Sequence, residues 1–283
     1  MTLLLGMIIV TASVFGGYVL SHGEMLALWQ PFELLIIGGA AFGSFVVANP
    51  LKVIKGVFKN IPKVIAGSKF KKALYLEALA LMFELFQKIR REGFIAIEKD
   101  VDDPDESAIF SKYSMITKDK HIMVFICDYL RIMVVGDMTP YELDNLMDIE
   151  LETHHEEITQ PANALTRVAD SLPGFGIVAA VLGIVITMKS IGGPPEELGV
   201  HVAAALVGTF LGILLAYGFV APTAQAFEHA AADESKFYVC IKTTLIATVN
   251  GMPPPVAVEF GRKTIFSSER PTFEELEQRI RVT

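Results

Sequence analysis

Long apolar runs separated by polar stretches dominate the pattern along the chain, and they fall in two pairs. Residues 3–20 and 32–48 form the first pair, joined by a short link, and residues 172–191 and 200–221 form the second. A helix rises about 1.5 Å per residue, so about 20 apolar residues cross the roughly 30 Å hydrocarbon core of a bilayer. The pattern therefore predicts four membrane-spanning helices arranged as two hairpins.

The link of the second pair carries a Gly-Gly-Pro-Pro sequence at residues 192–195, which is poorly able to continue a helix and predicts a turn. Lys189 is a charged residue within the third apolar run. It lies about 24 Å along that helix from Pro173, near the far side of the membrane. A lysine there can extend its ammonium group to water, so we expect it to act as an anchor.

Between the two pairs, apolar positions recur with helical spacing. Residues 51–61 place apolar side chains on one face and lysines on the other, which predicts a helix at an anionic lipid surface. Residues 73–91 predict an amphipathic helix that ends at Gly93. The acidic residues 102–106 predict an exposed loop, and residues 107–135 predict another helix.

Two capping boxes mark further helix starts. Thr139 opens one, with proline at the first helical position and glutamate at the third. This helix is expected to run toward the membrane and to bend near Pro161. Thr272 and Glu275 repeat the pattern near the carboxyl terminus. No strand pattern is found, so the predicted fold is an all-α integral membrane protein with a large helical cytoplasmic domain.

Lysine and arginine are distributed asymmetrically, and this predicts the orientation of the spans. Of the 24 Lys and Arg residues, all except Lys189 lie within residues 52–167 and 236–281. Loops rich in these residues remain in the cytoplasm. Both hairpin links are therefore expected to face the periplasm of a bacterial inner membrane, with both termini cytoplasmic. No Lys or Arg precedes the first run and a second span follows, so we expect it to be retained rather than cleaved as a signal peptide.

Composition and charge exclude several classes of protein. The chain is 52% hydrophobic, which is too apolar for a soluble domain, and its net charge of −8 disfavours nucleic acid as a partner. Cys127 and Cys240 provide neither a disulfide framework nor a cysteine-rich metal site. The adjacent His154 and His155 do not have the spacing of a zinc site, so no metal is expected. No phosphate loop or catalytic triad is recognisable, and we expect neither a cofactor nor an enzymatic activity.

The spans are poor in acidic groups and rich in small residues. Their deep parts contain no aspartate or glutamate, and Glu33 lies at the edge of the second span. The chain alone therefore cannot relay protons through carboxylates. Gly39 and Gly43 in the second span, and Gly208 and Gly212 in the fourth, allow helices to approach closely. That approach could occur within one monomer or between neighbouring chains.

Three segments carry a resemblance to a known family. They are residues 169–183 (ADSLPGFGIVAAVLG), residues 207–218 (VGTFLGILLAYG) and residues 257–271 (AVEFGRKTIFSSERP). These segments and the order of the spans resemble the MotA subunits of flagellar stators, in the MotA/TolQ/ExbB proton channel family, over essentially the whole chain. The resemblance implies that the chain is half of an ion-driven motor.

The resemblance also implies a set of partners. Five such chains would surround two MotB chains, each of which supplies one spanning helix and the aspartate that binds the proton. Charged residues would contact the rotor protein FliG, with Arg90 and Glu98 at the matching positions and Glu150 as a weaker candidate. Pro173 and Pro222 match two prolines at the membrane interface that act as hinges. The implied function is to convert proton flow into torque on the rotor.

Ala180 and Thr209 match the pocket beside the aspartate of MotB. Proton-type members of the family resemble this sequence in having alanine at the first position, where sodium-type members have a hydroxyl group. The resemblance therefore implies that the coupling ion is a proton.

The organisation expected from all of these features has four parts. Residues 1–49 form the first transmembrane hairpin, and residues 50–170 form a cytoplasmic domain with the interfacial helix and the rotor-contacting region. Residues 171–224 form the second hairpin, which lines the ion path. Residues 225–283 form a cytoplasmic C-terminal segment.

Three other functions are compatible with parts of the sequence. A relative of the ExbB and TolQ kind would drive envelope transport. Proteins of that kind resemble one another in having three spans, whereas four are predicted here. A secondary transporter usually needs charged or strongly polar groups deep in its spans, and the deep parts of these runs carry no charge. A purely structural membrane scaffold would carry no ion current with any partner.

Overall fold

All regular elements are helices in the computed structural model, which describes residues 2–189, 192 and 195–281. The α-helices of these residues are α1 (Thr2–Leu20), α2 (Pro31–Ala48), α3 (Leu51–Ala66), α4 (Lys72–Glu92), α5 (Glu98–Asp102), α6 (Ser114–Thr117), α7 (Lys120–Val135), α8 (Pro140–Lys189), α9 (Pro195–Leu215), α10 (Ala221–Val249), α11 (Pro254–Thr264) and α12 (Phe273–Arg281). Turns of 3₁₀-helix lie at Met25–Leu28, Phe94–Ile97 and Phe110–Lys112, and a turn of π-helix lies at Ala216–Val220. The all-α prediction is confirmed.

Four helical segments of the described residues are long and apolar enough to cross a membrane, as predicted. They lie in α1, in residues 25–48, in α8 and in residues 201–249. Their outward side chains are largely apolar. In α1, for example, no residue is buried, and Leu5 and Ile8 are both more than half exposed. Such a surface suits lipid, where exposed apolar side chains cost nothing.

The third and fourth spans continue as helices far beyond the apolar runs that predict them. α8 has 50 residues, which corresponds to about 75 Å. Its start confirms the first capping box, because the backbone N–H of Thr139 donates to the Glu142 carboxylate at 2.8 Å. The second box is also present, with the N–H of Thr272 donating to Glu275 at 2.6 Å. Residues 195–249 form one unbroken helix from α9 through the π turn to α10.

The link between the third and fourth spans is only partly described. Gly192 has a positive φ of 104°, which suits a turn, and α9 begins at Pro195. Gly193, Pro194 and the side chain of Lys189 lie outside the described residues. The anchoring role of Lys189 therefore stays a prediction.

The chain divides into two compact units, and the first comprises residues 1–67 and 158–230. It contains the apolar spans and α3. Its interior is small and is formed in part by one cluster of buried residues: Ile37, Ala41, Leu172, Ala179 and Ala216. A separate cluster joins α3 to α2 and α8 through Phe45, Val53, Val57 and Ala164.

The second unit comprises residues 68–157 and 231–283 and has the larger core. Phe237 of α10 is fully buried in it, and its ring centroid lies 5.3 Å from the rings of both Phe70 and Tyr75. α4 is the central helix of this core, since most of its residues are buried. It ends at Gly93 with φ 86°, which confirms the predicted helix end.

The prediction of one helix over residues 107–135 is wrong. This segment forms a 3₁₀ turn, the short α6 and then α7. Phe110, Tyr113 and Ile116 are fully buried at a spacing of three residues, which tight turns satisfy better than an α-helix. The Asp119 carboxylate then accepts hydrogen bonds from two backbone N–H groups of the next turn, so α7 starts there.

The segment at residues 257–271, one of the three that carry the family resemblance, is held together by two arginines. Arg262 donates two hydrogen bonds of 2.6 Å to Glu259 and one of 2.8 Å to the carbonyl oxygen of Pro271. Arg270 donates to the backbone carbonyl oxygens of Ile265 and Lys263 in the same segment. These contacts give the motif a structural role in closing the C-terminal turn.

Candidate functional site

α8 and α9 are in close contact through three glycines. A Cβ atom on Gly176 would lie 2.9 Å from the carbonyl oxygen of Gly208, and one on Gly212 would lie 2.8 Å from the carbonyl oxygen of Leu172. Any side chain at these positions would push the helices apart, so the spacing requires glycine. The Gly208 and Gly212 pair therefore packs inside the monomer.

The glycines of the second span behave differently. A Cβ atom on Gly39 or Gly43 would meet nothing within 4 Å in the described residues, and both glycines are exposed. This face of α2 is therefore open in the monomer and accessible to lipid or to a neighbouring chain.

Ala180 and Thr209, the residues implied to flank the ion, lie on the two helices of the glycine contact. The backbone nitrogen of Ala180 is 3.4 Å from the Cβ position of Gly208, and the Cα atom of Thr209 is 3.4 Å from the Cβ position of Gly176. Both residues are partly exposed. The same contact thus fixes the backbones of both residues and leaves their side chains accessible from outside the monomer.

The side chains of this pair offer a single oxygen atom. Thr209 carries a hydroxyl group that forms no hydrogen bond within the described residues, whereas Ala180 carries none. Thr187, further along α8, is buried and donates its hydroxyl to the carbonyl oxygen of Gly183 at 2.8 Å. A cation that needs several oxygen ligands would therefore be poorly coordinated here.

Pro173 and Pro222 both lie inside continuous helices rather than at helix ends. A proline removes the hydrogen bond to the carbonyl group four residues earlier and crowds that group. For Pro222 this carbonyl belongs to Gly218, inside the π turn Ala216–Val220, whose wider path makes room for the ring. Each helix thus contains a weakened backbone position where it leaves the apolar run.

Arg90 and Glu98 are both exposed, and the turn between them explains why. Arg90 lies in the last turn of α4, Glu98 begins α5, and Gly93 ends α4 between them. Ile97 is fully buried and anchors this turn in the core. In the described part of the chain neither charged side chain forms a salt bridge. The structure therefore presents two opposite charges on one short segment to solvent.

Glu150 is in a different situation. It lies on α8, and its carboxylate accepts a hydrogen bond from the hydroxyl group of Tyr129 on α7. Burial, together with this hydrogen bond and the charge of Glu150, raises the pKa of Tyr129. Glu150 thus supports the packing of α7 on α8, and none of its contacts in the described residues involves Arg90 or Glu98.

A cluster of charged residues that the sequence did not predict joins a mostly buried lysine to two more exposed aspartates. The Nζ atom of Lys242 on α10 lies 2.8 Å from Asp144 and 2.6 Å from Asp148, both on α8. Burial alone would lower the pKa of Lys242, but its hydrogen bonds to the two aspartates raise it above the usual value. The four-residue spacing of the aspartates, which places them on one helix face, is the signal in the sequence.

The histidine pair also joins α8 to α10. His154 Nε2 lies 3.3 Å from the Glu234 carboxylate, and His155 Nδ1 lies 2.8 Å from the hydroxyl group of Ser235. Within the described ranges, no three His, Cys, Asp or Glu side chains come together as a metal site.

Comparisons with known proteins match this architecture. Residues 4–93 match the family described as motility protein A N-terminal, and residues 117–239 match the MotA/TolQ/ExbB proton channel family. Motility protein A of Salmonella typhimurium is 50% identical over 281 residues, which cover 99% of this chain and 95% of that protein.

Two solved structures are also similar. The structure of C. jejuni MotAB has a TM-score of 0.79 at 21% identity and covers 96% of this chain and 98% of that chain. The flagellar MotAB stator complex from Bacillus subtilis has a TM-score of 0.69 at 24% identity, covering 90% and 92%. At these identities the two structures support the fold, and the Salmonella relative establishes the family.

The matches include both apolar hairpins and most of the helical segments between and after them. They confirm the resemblance seen in the sequence, and with it a membrane protein whose function is not enzymatic. The chain therefore belongs to the motility protein A family of flagellar stator subunits, within the MotA/TolQ/ExbB proton channel family.

Proposed function

We propose that this stator subunit assembles as five copies around two MotB chains in the bacterial inner membrane, with both termini in the cytoplasm. The proposal rests on the accessible surface formed by Ala180 and Thr209, which we call the wall. The deep parts of the spans that carry it contain no carboxylate. Such a wall can handle protons only if a partner supplies the acid. The presence of MotB in both similar complexes supports this pairing.

The ion that fits this wall is the proton. Sodium needs several oxygen ligands to replace its lost water, and the pair offers the hydroxyl of Thr209 alone. A proton needs only the carboxylate that binds it. Protonation would neutralise the aspartate of MotB and remove the cost of placing its charge against an apolar wall. The helix that carries it could then move relative to the ring.

Coupling to the cytoplasmic part would use the two long helices. α8 and the continuous helix of residues 195–249 each extend from an apolar run into the second unit. Pro173 and Pro222 weaken these helices where they leave the apolar runs, so a shift of the wall would bend them there. The bend would be carried along the helices toward the cytoplasmic charges.

Arg90 and Glu98 would make the rotor contact with FliG. Both are exposed, of opposite sign and without a salt bridge in the described residues. Exposed complementary charges set orientation and contact rate in such interfaces. Glu150 remains the weaker candidate, because its carboxylate already accepts the hydrogen bond from Tyr129.

Complementation tests this function directly. In cells that lack both stator proteins, this chain expressed together with MotB should restore swimming, and the chain alone should not. MotB whose aspartate is replaced by asparagine should also fail. If the chain restored swimming without MotB, the claim that the partner supplies the proton site would be wrong.

A further inference from the structure

α3 presents three different faces around its circumference. Val53 and Val57 are buried against Phe45 at the end of α2 and Ala164 of α8. This face holds the helix against the protein at the point where a membrane span ends. α3 begins at Leu51, only a short link after α2. The helix is therefore fixed close to the boundary of the bilayer.

The second face of α3 is apolar and open. Leu51 is 70% exposed and Phe58 is 56% exposed. They project from one side of the helix, since seven residues correspond to two turns. The nearby end of α2 is also apolar and exposed, with Val47 90% exposed. An aromatic ring and a leucine at this height suit the acyl chains just below the lipid headgroups.

The third face of α3 is basic. Lys52, Lys55, Lys59 and Lys63 are all exposed and lie within one side of the helical wheel. The helix contains no acidic residue. Lys55, Lys59 and Lys63 form no salt bridge with any described residue. Three cations therefore lie beside the apolar face without a salt bridge to any part of the chain that the structure describes.

We propose that α3 selectively binds anionic phospholipid headgroups through Lys55, Lys59 and Lys63, while Leu51 and Phe58 enter the acyl region of the same leaflet. Phosphate-bearing headgroups with a net negative charge match the basic face, and zwitterionic lipids do not. The inference goes beyond the proposed function, because lipid selection at α3 requires neither MotB nor proton flow. Such binding would enrich anionic lipids around α3.

Tryptophan fluorescence can measure this selection, because the chain has a single tryptophan. Replacing Trp29→Phe and Phe58→Trp places the only fluorophore on the apolar face of α3. The purified full chain is reconstituted in phosphatidylcholine vesicles that contain an equal fraction of either brominated phosphatidylglycerol or brominated phosphatidylcholine. A lysine at such a surface contributes about a fivefold preference for anionic lipid. Brominated phosphatidylglycerol should therefore quench more strongly, and high salt should reduce the difference.

Matched variants test the role of the charges. K55Q/K59Q/K63Q should abolish the preference, whereas K55R/K59R/K63R should keep it. K99Q/K118Q/K120Q, which removes three exposed lysines from the second unit, should also keep it. Equal quenching by both lipids in the parent protein would overturn the proposal, as would quenching by neither or a preference that survives in K55Q/K59Q/K63Q.

Discussion

Arg90 and Glu98 are exposed because the turn between them is anchored in the core, and neither forms a salt bridge with any residue that the structure describes. The turn between them is fixed by Gly93 and by the buried side chain of Ile97. Because the core does not use either charge, substitution should leave the fold intact. Function and stability can therefore be separated at this surface.

Reversing either charge should impair swimming without lowering the amount of protein in the membrane. In Arg90→Glu or Glu98→Lys, a like-charge contact with the rotor would cost several kcal/mol. Opposite charge changes in FliG should partly restore motility. Lys118→Glu, an exposed reversal elsewhere in the second unit, is the matched control. Normal swimming of the variants in soft agar and under viscous load would refute the rotor assignment.

Arg262 is the opposite case, because its contacts lie inside the fold. Its side chain is 9% exposed and bonds both Glu259 and the carbonyl oxygen of Pro271. Arg262→Ala should lower the free energy of unfolding by about 3 kcal/mol, since it leaves the carbonyl oxygen of buried Pro271 and the partly buried Glu259 carboxylate without the arginine donor. Arg281→Ala, at an exposed pair, should change it little. Thermal unfolding of the purified chain measures both, and equal melting temperatures would disprove the structural role.

The same pair gives stability a defined dependence on pH. Hydrogen bonds from Arg262 hold the pKa of Glu259 below its usual value, despite partial burial. A lowered folded-state pKa adds stability that is complete above the ordinary glutamate pKa and is lost as the pH falls through the lowered one. Arg262→Ala should therefore show a weaker loss of stability on the acid side than the parent protein.

At the scale of elements, the prolines within α8 and α10 should matter for coupling. Pro222→Ala would supply the missing N–H and allow a bond toward Gly218, which would stiffen the helix after the π turn. Swimming should fall while membrane abundance is kept, and Pro173→Ala should act similarly. Pro140→Ala is the control, because a proline at the first helical position replaces no hydrogen bond. If Pro222→Ala swims as fast as Pro140→Ala, the hinge is not needed.

Local signals predicted some elements well and others not at all. The capping box at Thr139 and the helix end at Gly93 depend on neighbouring residues, and both are present in the structure. The segment at residues 107–135 is broken because three side chains turn into a core built by distant helices, which no local pattern reveals. The bridge from Lys242 to Asp144 likewise joins residues far apart in the chain.

The candidate site was predictable to a different extent. Periodicity indicates the spans, but nothing in it distinguishes Ala180 or Thr209 from other small residues. These two came from the resemblance, and the structure then placed them at the glycine contact of Gly176 and Gly208. The glycine pairs themselves were ambiguous in the sequence. Only the packing shows that the pair in α9 is internal and the pair in α2 is open.

The two units of the chain provide different parts of the proposed motor function. The spans provide an apolar wall with accessible Ala180 and Thr209 and no deep carboxylate, and the second unit provides a stable core with exposed charges. The spans lack the acidic group that would bind the ion. The second unit lacks the rotor on which torque would act. A subunit built in this way can work only within a larger assembly.

The dependence of swimming speed on sodium and on the proton-motive force shows which ion drives rotation. Cells whose only stator contains this chain and MotB are tracked while sodium is replaced by potassium at constant pH and membrane potential. Because the proposed ion site at Ala180 and Thr209 offers a single side-chain oxygen, we expect swimming speed to stay the same. It should also fall in proportion when the proton-motive force is reduced. Loss of rotation on removal of sodium would contradict the proton assignment and the view of the site on which it rests.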